Sequence, residues 1–398
     1  MPSGYKPTFA IYKGGEDLTA RFRDRTTSIV VELTAGGGAQ DSVTITLDDR
    51  DFKIASPQVK DRLDVHLGYE GVGLAFMGSF EINKVTYSFP PRTITVCGTT
   101  ASSLNDLKTQ RITNFSDKTV EQILAEAGNP LGFKIDIHPS IAYEKIPSLS
   151  NITSFGGLIN RLERQYDSVA KITDGRVSLV PRAGGSSVSD FAQPTYVLRD
   201  YSFADLEVTK ESRGDFAKAV ADYRDENGNR TPAEAAMSAV TGIDSEAIFK
   251  LPHVFASKDE ATAAAKSTIA QLDRSGDRIG ATLAEGDPWV RDLQRIVVAG
   301  IRPGIDGSYT LDAVRHSYEK GTGLRTTLSG QGGVNGLASE FAASTTSPSG
   351  GGVPSTTFLS VGPGEVFGMV LPPAANVLPG VNTSTPRLVG SPLPNQGG

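Results

Sequence analysis

Two stretches of alternating apolar and polar residues, 5–97 and 196–330, bracket a helix-bearing middle, and a nearly charge-free tail follows. A side-chain period of two commits both stretches to sheets with one buried face, because successive strand residues point to opposite sides. In the first stretch, Thr8 to Tyr12, Ser28 to Leu33, Ser42 to Leu47, Arg62 to Gly68 and Leu74 to Tyr87 are rich in Val, Ile, Thr and Phe. Gly14-Gly15, Gly36-Gly37-Gly38, Asp48-Asp49 and Gly71-Val72-Gly73 separate them as turns. Pro90-Pro91 stiffens the entry to one more strand, Thr93 to Cys97. Short strands punctuated in this way predict an antiparallel barrel or sandwich.

The middle changes period. Val120, Ile123, Leu124 and Ala127 fall at helical spacing, with Asp117 as the expected cap and Gly128 just past the expected end. Phe155, Leu158, Ile159, Leu162 and Tyr166 repeat the pattern behind Thr153 and Ser154 as cap candidates. Phe133 to Ile137 reads as a strand, and Val169 to Thr173 with Arg176 to Val180 flank Asp174-Gly175, a hairpin signal. This is a small α/β unit. After a Gly/Ser/Ala-rich linker, strands resume at Tyr196 and at Lys218 to Tyr223. Ser257-Lys258-Asp259-Glu260 is a capping box opening a helix that runs to about Arg274. Its inner face, Ala261, Ala264, Ala265, Thr268 and Leu272, is mostly small, which predicts close approach to a sheet. Arg278 to Leu283, Gln294 to Ala299, Tyr309 to Tyr318 and Leu324 to Ser329 complete the second β block.

A length of 398 residues accommodates two or three separate cores. The expected fold class is α+β, mainly β, with two antiparallel β-barrel-like domains, an intervening small α/β domain and an extended C-terminal tail. The expected boundaries are 1–104 for the first barrel, 105–183 for the α/β domain and 184–195 for the linker; 196–332 form the second barrel with its inserted helix, and 333–398 the tail. From Ser344 onward, Pro, Gly, Ser and Thr supply 32 of 55 residues and only Glu365 and Arg387 carry charge. Such a segment cannot bury enough apolar surface to order itself. It nevertheless carries apolar islands at Phe358, Leu359, Val366, Phe367, Met369, Val370 and Leu371. Two readings stand: a strap that docks on a partner by strand addition or pocket filling, and a tail with incidental apolar residues.

Charge narrows the function classes. The formal net charge is -6, and no basic cluster is longer than the alternation Arg21, Arg23, Arg25. A nucleic-acid reader needs concentrated positive charge to displace counterions from phosphates, so DNA is not expected as a tight ligand. A mildly acidic wall still lets DNA pass, because it repels phosphate. Cys97 stands alone, which excludes an intrachain disulfide and points to a reducing assembly compartment. The segment Met1 to Lys6 has no signal-peptide pattern and no run of 18 apolar residues occurs, so a soluble chain without membrane insertion is expected.

Residues that carry chemistry are scattered. His66, His138, His253 and His316 lie in different elements without metal spacing. Cys97 reads as a small buried residue. Asp48, Asp49 and Asp51 lack the glycine and terminal glutamate of a calcium loop, and Gly71-Val72-Gly73 lacks the third glycine of a dinucleotide fingerprint. Glu121, Glu126 and Glu163 fall on the polar side of the two middle helices, where solvated charge is the default. No catalytic residue, cofactor or metal is expected. A carboxylate-dependent cell-wall hydrolase and a peptidoglycan-binding module remain as alternative readings of the middle unit.

In order along the chain, Ser42-Val43-Thr44-Ile45-Thr46-Leu47-Asp48-Asp49, Leu67-Gly68-Tyr69, Met77-Gly78-Ser79-Phe80-Glu81-Ile82, Pro90-Pro91 and Asp117-Lys118-Thr119-Val120-Glu121-Gln122-Ile123 carry a likeness. Gly286-Asp287-Pro288, Ile305-Asp306-Gly307, Tyr309, Val314, His316, Gly323 and Thr326 continue it. The sequence resembles the late control gene D family of tailed phages, the tail or baseplate hub proteins related to the base of type VI secretion spikes. Where that family has an Asp-rich phrase leading to Phe-Leu-x-Arg-Leu, this chain has Thr153-Ser154-Phe155-Gly156-Gly157-Leu158-Ile159-Asn160-Arg161-Leu162, a departure. The likeness spans roughly residues 5–330 and omits the tail. It implies a homotrimeric ring of pseudo-sixfold character that adapts a hexameric tail tube protein to a trimeric tail spike protein. It further implies peripheral baseplate proteins against the middle unit, a tape-measure protein or spike in the lumen before ejection, and DNA only as passing cargo. The implied location is the virion tail tip or baseplate, after assembly in the host cytoplasm.

Overall fold

The computed structural model describes residues 6–35, 40–100, 109–110, 113–182, 194–210, 216–236, 247–333 and 368–370, apart from positions 53, 56, 152, 174, 226, 227 and 276. The Gly36-Gly37-Gly38 turn, Asp174, most of the expected linker and most of the tail lie outside the described residues.

The first β block contains β1 (Pro7–Lys13), β2 (Glu16–Asp17), the short helix α1 (Thr19–Arg23), β3 (Thr26–Thr34), β4 (Ser42–Asp48), β5 (Arg62–Tyr69), β6 (Gly73–Ser88) and β7 (Thr93–Thr99). Strands β1 and β3 to β7 match those expected from the period-two pattern, whereas β2 and α1 were not foreseen. They pair antiparallel in the order β3-β4-β7-β6-β5-β1-β2. The alternation is strict in β4 and β7, where Val43, Ile45, Leu47, Ile94 and Val96 turn inward while the threonines between them face outward.

The middle unit follows with β8 (Thr113–Thr119), α2 (Val120–Gly128), β9 (Lys134–Ile137), α3 (Pro139–Ala142), β10 (Lys145–Asn151), α4 (Phe155–Tyr166), β11 (Ser168–Thr173) and β12 (Arg176–Pro181). Strands β11 and β12 form the expected hairpin across Gly175, whose φ of 72° suits a residue without a Cβ, and β9 joins β12 in parallel. Strands β8 and β10 form a second, unforeseen pair. The cap of α2 is Thr119 rather than Asp117. Its hydroxyl accepts from Gln122 N at 3.3 Å and the Gln122 side chain accepts from Thr119 N at 3.0 Å, a reciprocal box. Asp117 cannot serve, because β8 stays paired as far as Thr119 with Lys145. Gly128 is likewise the last helical residue, and the chain turns at Gly132, with φ 82°. Ser154 caps α4 as expected, accepting from Gly157 N at 3.2 Å.

The second β block holds β13 (Thr195–Leu198), β14 (Phe203–Lys210), β15 (Lys218–Arg224), β16 (Arg230–Ala236), β17 (Ile248–Phe255), α5 (Lys258–Ser275), β18 (Asp277–Leu283), β19 (Arg295–Val298), β20 (Gly307–Glu319), β21 (Gly323–Gly333) and β22 (Gly368–Val370). Helix α5 opens at Ser257, whose hydroxyl accepts from Glu260 N at 3.2 Å. It crosses a separate three-stranded sheet, β16-β15-β17. There Ala219, Ala221, Ala233 and Ala235 meet Ala261, Ala265 and Ile269, so small side chains on both sides permit the close approach.

Two closed barrels do not form among the described residues. The order β14-β18-β21-β20 runs directly into β3-β4-β7-β6-β5-β1-β2, because β20 pairs antiparallel with β3 from Ala313 opposite Thr34 to Glu319 opposite Ser28. A barrel closes by pairing its own terminal strands. Here the outer edge of β3 is taken by β20, and a single open sheet results. The two blocks accordingly share one core, in which Ile29, Val31, Ile45, Phe80 and Val96 pack in one cluster with Ile279, Ile296, Tyr309, Leu311 and Leu328. The middle unit keeps a core of its own, built around Phe115, Ile123, Leu124, Leu158, Leu162 and Leu179. Among the described residues no helix is long and apolar enough to cross a membrane.

Candidate functional site: the seam of the β blocks and the middle unit

The features that distinguish this molecule lie where its parts meet. Along the β3–β20 ladder, Arg315 and Glu32 are directly opposed, and their side chains pair at 3.4 Å. Lys320 N donates to Thr27 O at 2.9 Å, extending the ladder by one bond beyond the strand end. The Phe9 and Tyr318 rings meet edge to face at 5.1 Å. Further along, Tyr69 donates its hydroxyl to Gly286 O at 2.6 Å and Arg291 Nη2 donates to Phe76 O at 2.7 Å. Side chains and backbone therefore interlock the first block with the loop before β19.

Behind that loop sits a buried polar knot. His316, fully buried on β20, meets Thr326 Oγ1 at 3.0 Å through Nδ1 and Val290 O at 3.0 Å through Nε2. The Thr326 hydroxyl in turn accepts from Asp287 N at 2.9 Å. Burial, with the nearby Arg291 charge, drops the His316 pKa to about 3, so the ring is neutral. Burial also raises the Asp287 carboxyl and lowers the Arg291 guanidinium from their ordinary values.

The middle unit docks on the β frame through its β11–β12 hairpin. Val169 and Val180 meet Ala35 and Leu293 in a small apolar contact. Beside it, Lys171 Nζ lies 2.6 Å from both Asp41 Oδ1 and Asp292 Oδ2, joining three parts of the chain. Arg182 Nη1 donates to Asp312 Oδ1 at 3.0 Å, and its Nε lies 3.9 Å from Asp167. Burial pushes the Lys171 ammonium down, but Asp292 and Asp41 outweigh it and hold the group above its usual value. Burial raises the Asp292 carboxyl against the pull of Lys171.

The residues singled out in the sequence do not converge. His66 lies on the outer side of β5 between Tyr12 and Phe76, His138 caps α3, His253 is exposed on β17, and His316 belongs to the buried knot. Among the described residues no group of three His, Cys, Asp or Glu could hold a metal. Cys97 is half-buried beside Thr44. Glu121 is exposed and Glu126 pairs with Lys118. Glu163 departs from its expected solvated place: it is buried, and its Oε1 accepts from Ala170 N at 2.7 Å because β11 folds across that side of α4. Burial raises its carboxyl, partly offset by the Ala170 amide and by Arg182. Of the tail residues, Met369 and Val370 lie in β22, whose backbone pairs with Thr195 and Tyr196 of β13. Phe358, Leu359, Val366, Phe367 and Leu371 lie outside the described residues. Sequence reasoning missed Lys171, Asp41, Asp292 and Arg182, for which no local signal exists.

No protein-family profile matches the chain. It is 20% identical over 359 residues to a probable baseplate hub protein of Escherichia phage P2, covering 81% of this chain and 92% of the relative. A probable baseplate hub protein of Escherichia phage 186 is 21% identical over 193 residues, covering 48% of this chain and 49% of that relative. In structure the chain is similar to a tail protein from Neisseria meningitidis, with a TM-score of 0.61, 11% identity and coverage of 82% of this chain and 97% of the other. A prophage tail protein from Shewanella oneidensis gives a TM-score of 0.58 at 14% identity, covering 81% and 97%. The structural likenesses concern the fold; joined to the sequence match along most of both chains, they place the protein's role in the phage tail or baseplate. In sequence and in fold, the chain is similar to phage tail and baseplate hub proteins.

Proposed function

We propose that three copies of this chain close a ring in the tail, each contributing two β blocks side by side, so that one face meets sixfold and the other threefold neighbours. The observation that carries this reading is the β3–β20 ladder. It sets two β blocks edge to edge inside one chain, so three chains can offer six similar β faces around an axis. Among the described residues β14 pairs only with β18, which leaves the far end of the sheet for a neighbouring copy to cover. In this reading the barrel-like closure, with domain limits of 1–104, 105–183 and 196–332, is reached in the assembly. The ring adapts a tail tube protein above to a tail spike protein below. The middle unit faces peripheral baseplate proteins, and the lumen holds a tape-measure protein or spike and later passes DNA. The net charge of -6 suits a wall that phosphate must slide past. The tail beyond residue 333, with Phe358, Leu359, Val366, Phe367, Met369, Val370 and Leu371, serves as a strap on a partner.

Mass photometry of the purified chain, alone and with a trimeric spike protein, tests the reading. The expected species is three times the 42.0 kDa protomer. A monomer under both conditions, or a ring of another order, overturns it. Truncation after Ala343 is expected to leave the ring intact and weaken one partner interaction.

A further inference from the structure

The middle unit, from Thr113 to Arg182, packs around residues that belong to its own core and not to that of the β frame. Its attachment is of a different character. The apolar part consists of Val169 and Val180 against Ala35 and Leu293. Among the described residues the remainder is polar and includes Lys171 with Asp41 and Asp292, Arg182 with Asp312, Gln165 Nε2 donating to Glu260 Oε1 at 3.1 Å, and Ser267 Oγ and Gln271 Nε2 donating to Arg164 O at 3.2 and 3.4 Å. Two bodies with separate cores and a polar seam are free to move relative to one another once the seam yields.

We propose that the middle unit is a latched arm, held on the β frame by Lys171 gripping Asp41 and Asp292 together and by Arg182 gripping Asp312, and that loss of these grips releases it as a folded body. The charge balance gives the latch its direction. The carboxylates of Asp41, Asp292, Asp312, Asp167 and Glu163 gather at this seam with the cations Lys171, Arg182, Arg164 and Arg291. Lys171 extends from the arm, whereas Asp41 and Asp292 both belong to the frame. Without it, two carboxylates with side-chain exposures of 15% and 8% lose the ammonium that pairs with both and face the arm with the more distant Arg291 charge, and a buried carboxylate without a direct partner is drawn toward water. The arm then separates from the frame instead of resting loosely on it. The grips join residues far apart in the chain, as the separation of 130 residues between Lys171 and Asp41 illustrates, so they act between bodies and not within one. The inference is independent of ring assembly.

Distance measurement by paired spin labels tests the latch. The labels go on Glu121→Cys in the arm and Glu70→Cys in the frame, both exposed, in full-length Cys97→Ser protein diluted with unlabelled chain. The parent protein is expected to give one narrow distance. Lys171→Met with Arg182→Met is expected to broaden it, lowering the docked-to-released ratio at least tenfold, while amides in the Leu158–Leu162 core turn stay protected from exchange. Lys171→Met combined with Asp292→Asn removes one carboxylate with the ammonium and is expected to narrow the distribution again. An unchanged narrow distance in the Lys171→Met, Arg182→Met protein overturns the proposal. So does failure of Asp292→Asn to restore docking. Loss of amide protection inside the arm also overturns it, since the grips would then belong to the arm's folding.

Discussion

His316 should make the stability of the β frame fall with acidity in a way that a single substitution removes. Its imidazole is held neutral with a pKa of about 3, against 6.5 for an ordinary histidine. A base whose folded-state pKa is depressed is protonated first in the unfolded chain. Its contribution is therefore complete above about pH 6.5 and declines as pH falls toward about 3. At about pH 4.5 the unfolded chain gains a proton worth ~2.7 kcal/mol while the folded ring remains neutral, and the full effect below about pH 3 approaches ~5 kcal/mol. The smaller figure depends on the unfolded value and hardly on the buried one, which makes about pH 4.5 the better condition. The assay is urea unfolding at about pH 8 and about pH 4.5, comparing the parent with His316→Gln. Trp289 is the chain's one tryptophan and sits beside Val290, whose carbonyl takes His316, so its fluorescence reports this region. Glutamine can still donate to Val290 O and accept from Thr326, yet does not titrate. The buried carboxyls of Asp287, Asp292, Glu163 and Glu260 are raised and act in the opposite sense, gaining stability as pH falls. They do so in both proteins and cancel in the comparison. The expected excess loss in the parent is ~2.7 kcal/mol. Equal losses in the two proteins, or an imidazole titrating near 6.5 in the folded state, would refute the reasoning.

Two further outcomes follow from the middle unit. Gly128→Ala would place a Cβ 2.7 Å from the Phe155 ring and 2.8 Å from Ile135 Cδ1, so overpacking should cost ~1–3 kcal/mol, more than the helix-propensity gain at a terminal position. Loss of amide-exchange protection confined to α2 and α4 checks it, and a stabilised protein contradicts it. Thr119→Ala removes the hydroxyl of the reciprocal cap on α2 and should destabilise the unit by ~1 kcal/mol, whereas Asp117→Ala, outside the cap, should leave helix protection unchanged.

Much of the architecture is legible in short windows of sequence. The alternation in Ser42–Asp48 and Thr93–Thr99 marks half-buried strands, the spacing of Phe155 to Tyr166 marks a helix, and Ser257 to Glu260 marks its start, because burial and capping act over a few residues. Strands β16 and β17 were hidden by Pro232 and Pro252. Both strands lie at the edges of their sheet, where a missing N–H is tolerated. Strand β8, Thr-Asn-Phe-Ser-Asp-Lys-Thr, offers one large apolar residue, Phe115, and earns its conformation by pairing with β10. Glu163 sits on the polar side of α4 by periodicity, and only β11 folding over it supplies the Ala170 amide that makes its burial tolerable.

The periods of two and of 3.6, the caps and the tight turns were thus written into neighbouring residues, since the forces behind them are local sterics and one-sided burial. The meeting of β3 with β20, the shared core behind it and the grip of Lys171 on Asp41 and Asp292 were settled by the folded chain alone. Strand edges pair through backbone N–H and C=O groups that every residue but proline carries in the same form, so no composition labels which edge will find which. An ion pair between distant segments exists only after those edges have met.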